Sequence, residues 1–177
     1  HKMFNNPLER GSAGTVLFVH HSVLEGCTFK HIILIPGRIQ IFQIFIQNSL
    51  SLTIVNLHSS PNLSTADRID ELTELHKRIF PNPGRVFLLG DFNFDSELAD
   101  RQCTHTGALS GRPCGVAKFF LIKCVELAEL FQPDFTRVPF SSAAGPPQSA
   151  SRTDRIYANS FPGDGQIFNI YTHTTQK

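Results

Sequence analysis

The chain has no tryptophan, no C-x-x-C pair, no apolar run of membrane length and almost no net charge. Each lack excludes something. The longest apolar stretches are interrupted by Pro36, Gln40, Gln43 and Gln47, so none reaches the ~20 residues a transmembrane helix needs, and no membrane partner is expected. No signal peptide is recognisable, which points to an intracellular location, nuclear or cytoplasmic. The four cysteines, Cys27, Cys103, Cys114 and Cys124, are unevenly spaced. That favours free thiols in a reducing compartment over a disulfide framework. Cys103, His105 and Cys114 could be drawn around a zinc, but one ligand is missing and the spacing fits no common site. An ordinary loop is the simpler reading. A net charge of +1, with eight histidines uncounted, is not the footprint of a protein that grips nucleic acid by bulk charge, although a local groove could still be basic.

What is present is ordinary for a globular chain. With 177 residues, 41% of them hydrophobic and 18% charged, it suits a single domain that buries roughly 70% of its unfolded surface. Residue 1 is His rather than Met, so the expectation is a piece of something longer: one partial domain spanning residues 1–177.

One stretch stands out, Val86-Phe87-Leu88-Leu89-Gly90-Asp91-Phe92-Asn93. Its four apolar residues read as an inner strand buried on both faces. An ionised Asp at the mouth of such a strand is costly unless it reaches water, a cation or donors. Gly90 permits close backbone approach. Taken alone, Gly, Asp and Asn suggest a turn; the rest of the chain changes that balance.

Residues 1–13 read as an irregular, frayed lead-in. Thr15 to His20 and Ile32 to Ile35 read as strands, the second stopped by Pro36-Gly37. Arg38 to Gln47 alternates, slips phase after Ile41 and resumes at Ile44 and Ile46, as a bulged strand does. Asn48-Ser49 turns it into a hairpin with Leu50 to Leu57. A helix begins near Ser64, with Asp67 three residues on as in a capping box. Ile69, Leu72, Leu75, His76 and Ile79 give it one apolar stripe, and Pro81 and Pro83-Gly84 end it. Phe94 to Gly115 is a polar loop in which no residue stands out. Val116 to Leu130 is a core helix holding Cys124 as a small hydrophobe. Phe140 to Ala150 is a loop, Ser151 to Tyr157 a strand with a carboxylate in its middle, and Ile167 to Tyr171 the last strand.

A helix of about 16 residues is ~24 Å long, enough to return past a strand of ~17–20 Å. Strand, helix and strand therefore form a parallel βαβ crossover. Both strands end at one edge, which places His58 and Asp91 within one or two strand spacings of ~4.8 Å. Ligand sites in such sheets gather at that edge.

Three segments in order, Val55-Asn56-Leu57-His58, Gly90-Asp91-Phe92-Asn93 and Ser151-Arg152-Thr153-Asp154-Arg155-Ile156, resemble the endonuclease/exonuclease/phosphatase superfamily. That group includes apurinic endonucleases, pancreatic-type deoxyribonuclease and the endonuclease domains of LINE-type retrotransposons. Gly14-Thr15-Val16-Leu17-Phe18-Val19 resembles its "G-V-A-I-L-V" strand. The resemblance spans nearly the whole chain and implies an α/β fold, a two-sheet β-sandwich flanked by helices in four αββα layers, incomplete here. It also implies roles. Asp91 would position or deprotonate the attacking water, and Asn93 would hold the scissile phosphate. His58 would donate to a phosphate oxygen or the leaving group, and Asp154 would orient a partner histidine near the chain's end. Asn56 and Arg152 would join Asn93 in binding substrate. In-line attack on a phosphodiester needs an activated water, a proton for the leaving oxygen and cations for the equatorial charge. A hard divalent ion, Mg²⁺ or Mn²⁺, is implied, its ligands unassigned.

Two departures matter. The family's first-strand Asn and metal-binding Glu belong upstream of the Gly14 strand, and residues 1–13 hold neither in context. Its terminal Ser-Asp-His has no counterpart around His173, which reads as an exposed strand-end residue. The expectation is a chain truncated at both ends, with low or no activity as it stands. The function expected is a metal-dependent phosphodiesterase, a DNA endonuclease of retroelement or repair type, with DNA as partner and a reverse-transcriptase domain possible in a longer chain. Two rivals stay open: a phosphatase on inositol phosphates or other small phosphates with the same fold, and a catalytically dead remnant or binding module.

Overall fold

The computed structural model describes residues 1–7, 14–81, 84–130, 135–136 and 149–159. In chain order the elements are β1 (Lys2–Pro7), β2 (Gly14–Val19), a short α1 (His21–Leu24), β3 (Thr28–Ile35), β4 (Ile39–Ile46), β5 (Ser49–His58), α2 (Thr65–Ile79) and β6 (Arg85–Asp91). A single 3₁₀ turn (Leu98–Asp100) then precedes β7 (Arg101–Cys103), α3 (Gly115–Lys123), β8 (Leu127–Glu129), β9 (Ser149–Ser151) and β10 (Asp154–Asn159). Six of these strands make a mixed sheet in the order β3-β4-β5-β6-β10-β8. Strands β5 and β6 pair in parallel, and the other neighbours in that sheet are antiparallel. Strands β1 and β2 form one small sheet and β7 and β9 another.

Local chemistry accounts for the joints. Gln47 and Asn48 both take positive φ, 50° and 64°, between the paired Ile46 and Ser49. A two-residue turn of that hand matches the twist of its flanking strands. The bulge expected in β4 falls on its neighbour: Ile44 pairs with Leu52 and Phe45 with Leu50, so the extra residue is Ser51 of β5. At the start of α2, Ser64 Oγ accepts the Asp67 N–H at 3.1 Å and donates to Asp67 Oδ2 at 2.7 Å, satisfying one orphan amide of the first turn. The crossover through α2 brings β6 alongside β5 with the ends in register, His58 opposite Asp91.

Side chains alternating across the sheet feed two cores. On one face Ile39, Ile41, Val55, Leu57, Val86 and Leu88 pack against Leu72, Leu75 and Ile79 of α2 and Val116 and Phe120 of α3. On the other, Phe42 and Ile44 pack against Phe4 of β1 and Val19 of β2. Helices, main sheet and small sheet thus supply three layers of an α/β fold, and no second helical layer lies among the described residues.

Several expectations need correcting. Residues 2–7 are not frayed: they form β1, because Phe4 and Asn6 point inward and are buried while their neighbours are exposed. The helix expected over Val116 to Leu130 stops at Lys123, and the chain re-enters the main sheet as β8 beside β10. Asp154 opens β10 rather than sitting mid-strand. The cysteines Cys27, Cys103, Cys114 and Cys124, by contrast, are free thiols as expected; no cluster of three or more His, Cys, Asp or Glu that could hold a metal occurs among the described residues. Ile167 to Tyr171 and His173 lie outside the described residues, as does most of Phe140 to Ala150.

The loop from Phe94 to Gly115 holds the anchor that its polar composition concealed. Asp100 is fully buried and accepts the amides of Ser96 and Glu97. Its carboxylate also takes Arg152 at 2.8 Å and pairs with the buried Arg155. Arg155 in turn reaches Glu129 at 2.8 Å, and Arg152 reaches Glu97 at 2.8 Å. Burial works to raise the Asp100 carboxyl, but the amides and guanidinium groups outweigh it and hold the pKa down to about 2.

Two outcomes follow for stability. Gly90 has φ +137°, and a Cβ there would run into the Leu57 carbonyl of β5. Gly90→Ala should therefore cost about 3 kcal/mol or more in urea denaturation. Because the folded Asp100 carboxyl titrates below its unfolded value of about 3.9, its contribution is full above that value and drains away as pH falls toward 2. Asp100→Ala, which strands two guanidinium groups, should lose about 3–5 kcal/mol at pH 7 and flatten that acid limb in denaturation curves between about pH 4 and 2.

Candidate active site

Register alone brings three chemical groups into a row. The parallel pairing sets His58 beside Asp91, and the antiparallel pairing of β10 with β6 sets Asp154 on the other side of Asp91. An open hollow of about 440 Å³ lies over this edge of the sheet. Asn56, Leu57 and His58 of β5, Gly90 and Asp91 of β6, and Asp154 of β10 line it. Gly14, Thr15 and Val16 of β2 complete its wall. Asn56 Nδ2 ties that wall to the sheet by donating to the Val16 carbonyl at 3.0 Å.

Asp91 is half-buried, and burial is the main cause that raises its carboxyl pKa, with the Asp154 carboxylate adding to the rise. The Asn93 amide, the nearby His58 and the Thr153 hydroxyl work in the opposite direction. Asn93 N–H donates to Asp91 Oδ1 at 3.0 Å from a left-handed backbone, φ 47°. A carboxylate of this kind is fixed in direction and readier to take a proton than a solvated one, which suits a base.

Arg68 of α2 went unseen in the sequence, yet it organises this edge. It is buried. Its Nε donates to Ser59 Oγ at 2.9 Å, and its Nη2 donates to the carbonyls of Phe92 at 2.8 Å and Asn93 at 2.9 Å. One guanidinium thus joins the residue after His58 to the residues after Asp91. The seam continues through Ser59 N–H to the Asp91 carbonyl at 2.8 Å. The signal was present: Arg68 stands four residues before Leu72, on the buried stripe of α2, where a lone charge demands fixed partners. Thr136 was also missed. Its Oγ1 accepts the amides of Thr153 at 3.2 Å and Asp154 at 3.1 Å, pinning the start of β10, while the Thr153 carbonyl accepts Phe92 N–H at 2.8 Å.

Not every expected residue reaches the hollow. Asn93 sits beside it, but its Nδ2 donates to the Ser59 carbonyl at 2.9 Å and its side chain is not part of the lining. Arg152, expected to bind substrate, is placed elsewhere. Its guanidinium pairs with Asp100 and Glu97, partners that no sequence motif announced, and it lies outside the lining.

No protein-family model matches the sequence, and no curated protein matches it. Solved structures do match. The endonuclease domain of TRAS1, a telomere-specific non-LTR retrotransposon, superposes with a TM-score of 0.60 at 14% identity, covering 89% of this chain and 66% of that one. TDP2 from C. elegans gives 0.51 at 16% identity, covering 89% and 47%. An endonuclease/exonuclease/phosphatase family protein from Leptotrichia buccalis C-1013-b gives 0.52 at 16% identity, covering 90% and 59%. The chain thus spans between about half and two thirds of the length of each. On this likeness to solved structures, the chain has the fold of the endonuclease/exonuclease/phosphatase superfamily.

Proposed function

We propose that this chain is a metal-dependent phosphodiesterase, a DNA endonuclease of retroelement or repair type. The observation that carries the reading is the meeting of His58, Asp91 and Asp154 at one open hollow in a fold shared with the TRAS1 endonuclease domain. Asp91, aimed by the Asn93 amide and the Thr153 hydroxyl, takes the proton of the attacking water. His58 donates to a phosphate oxygen or to the leaving oxygen, an acid–base pairing of the kind that contributes roughly 10²–10⁴-fold per group. Asp154 faces the same hollow and holds the geometry of the acid edge. Asn56 lines the hollow, and after one N–H of its Nδ2 goes to the Val16 carbonyl the other is left for substrate. Asn93 steadies the loop from which substrate phosphate is approached.

A divalent ion, Mg²⁺ or Mn²⁺, belongs to this proposal. The donors suit it: Asp91 and Asp154 share one hollow, and to the burial that mainly raises the Asp91 carboxyl the Asp154 charge adds a repulsion, which a hard cation would relieve. Mg²⁺ commonly takes only one or two protein carboxylates, with water and phosphate filling the rest. When bound, it would offset the charge gathering on the phosphoryl oxygens.

The test is cleavage of supercoiled and abasic DNA by the protein with Mg²⁺, beside a phosphoinositide control. Asp91→Asn and His58→Ala should each reduce cleavage at least about 100-fold while the circular dichroism spectrum stays unchanged. Full activity in both variants, or turnover of the phosphoinositide alone, refutes the DNA assignment. A second readout follows from the raised Asp91 carboxyl. The fold favours its neutral form, so the linked stability is full at acid pH and is lost as pH rises through the folded value. Without added cation, Asp91→Asn should therefore raise Tm at pH 7, by roughly 2–4 °C per kcal/mol relieved, and this gain should vanish at acid pH.

A further inference from the structure

We propose that the Thr15 hydroxyl is a second donor to the substrate phosphate, a contact made by the β2 wall rather than by the acid edge. The proposal rests on the phosphodiesterase reading and on an inventory of hydrogen bonds. Thr15 lines the hollow and is only 6% exposed. Its Oγ1 accepts from Asn6 Nδ2 at 3.2 Å and from Gln40 Nε2 at 3.1 Å. Both donors are themselves fixed. Asn6 is fully buried, its Oδ1 accepting Gly37 N–H at 2.9 Å and its Nδ2 also donating to the Ile35 carbonyl at 3.1 Å. Gln40 is buried too, with its Oε1 at 2.9 Å from His31 Nε2, so a His31 N–H there turns the Gln40 amide NH₂ toward Thr15.

A hydroxyl has two acceptor lone pairs and one proton. The two amides occupy the lone pairs of Thr15, which leaves the proton, and no described residue accepts it. A buried donor without an acceptor is costly, and here it borders a hollow that already presents an imidazole. The chemical class that completes it is an anion with several acceptor oxygens, which a phosphate is. An uncharged donor suits this edge, whose two carboxylates repel phosphate. The network behind Thr15 keeps its oxygen still, so little is lost to orienting it when substrate arrives.

The test measures inorganic phosphate binding in the presence of Mg²⁺, together with KM and kcat for plasmid cleavage. Thr15→Val should weaken phosphate binding and raise KM roughly tenfold, the size of one hydrogen bond to a charged group, and Thr15→Ser should restore both. Thr15→Val also strands two amides and could fail to fold. The comparison of Gln40→Leu with Gln40→Leu/Thr15→Val avoids this, because both have lost the Gln40 donor and they differ in the hydroxyl. A tenfold gap between those two supports the proposal. Equal values overturn it and leave Thr15 a purely structural link, as does a Gln40 amide turned to accept the Thr15 proton. Plasmid cleavage by the unmodified protein with phosphate affinity unchanged in Thr15→Val defeats this inference alone. No cleavage by the unmodified protein, with the tenfold loss of phosphate affinity still seen, defeats the endonuclease reading and keeps the Thr15 contact.

Discussion

The parallel pairing of β5 with β6 is the constraint on which the site depends. In a parallel ladder the two strands finish at the same edge, so whatever follows each must share that space. Here the residues that finish them are His58 and Asp91, directly opposite. The register tolerates no slip, because a one-residue shift would turn Val55, Leu57, Val86 and Leu88 out of the core beneath α2. Gly90 adds a second lock: its backbone lies so close to the Leu57 carbonyl that a side chain has no room. The apolar core therefore fixes, through register, the separation of two polar groups that make no direct bond to each other.

Register sets position along the strands but not the direction of the loops beyond them, and that task falls to buried polar anchors. Arg68 binds the chain after His58 to the chain after Asp91. Thr136 holds the amides that begin β10, and Asp100 gathers Arg152 and Arg155 from either side of Asp154. Each anchor joins segments distant in sequence, and each is a group whose burial would be unfavourable without its partners. The left-handed Asn93 persists in this setting because its carbonyl, its amide and its side chain are all bonded.

How much of this the sequence disclosed follows from the range of each interaction. The crossover, the Ser64 cap and the meeting of His58 with Asp91 depend on spacing within some 35 residues, and periodicity reads that well. Strand β1 was missed because inward Phe4 and Asn6 form too short an alternation to register. The end of α3 was misplaced because Val125 and Leu127 continue an apolar run that fits helix or strand alike. Arg68, Thr136 and Asp100 were invisible for another reason: their partners lie far along the chain, and Arg, Thr and Asp are common on surfaces. Arg152 illustrates the same limit. Beside Asp154 in sequence it looked like a substrate contact, yet a carboxylate 52 positions away claims it.

Electrostatics gives the arrangement a logic on the proposed reading. A chain of net charge +1 has little long-range pull on a polyanion, and the guanidinium groups of Arg152 and Arg155 are tied up with acids of their own. Attraction for phosphate must then arise within the hollow, at short range, where two carboxylates oppose it. A divalent cation between those acids would reverse the local sign, and fixed neutral donors would supply direction without adding charge that must be desolvated. On that reading such a site would hold anionic substrate weakly until cation and substrate were both present, and selectivity would rest on their joint fit rather than on bulk charge. That separates it from proteins that bind nucleic acid through a basic face, whose affinity is set mainly by released counterions.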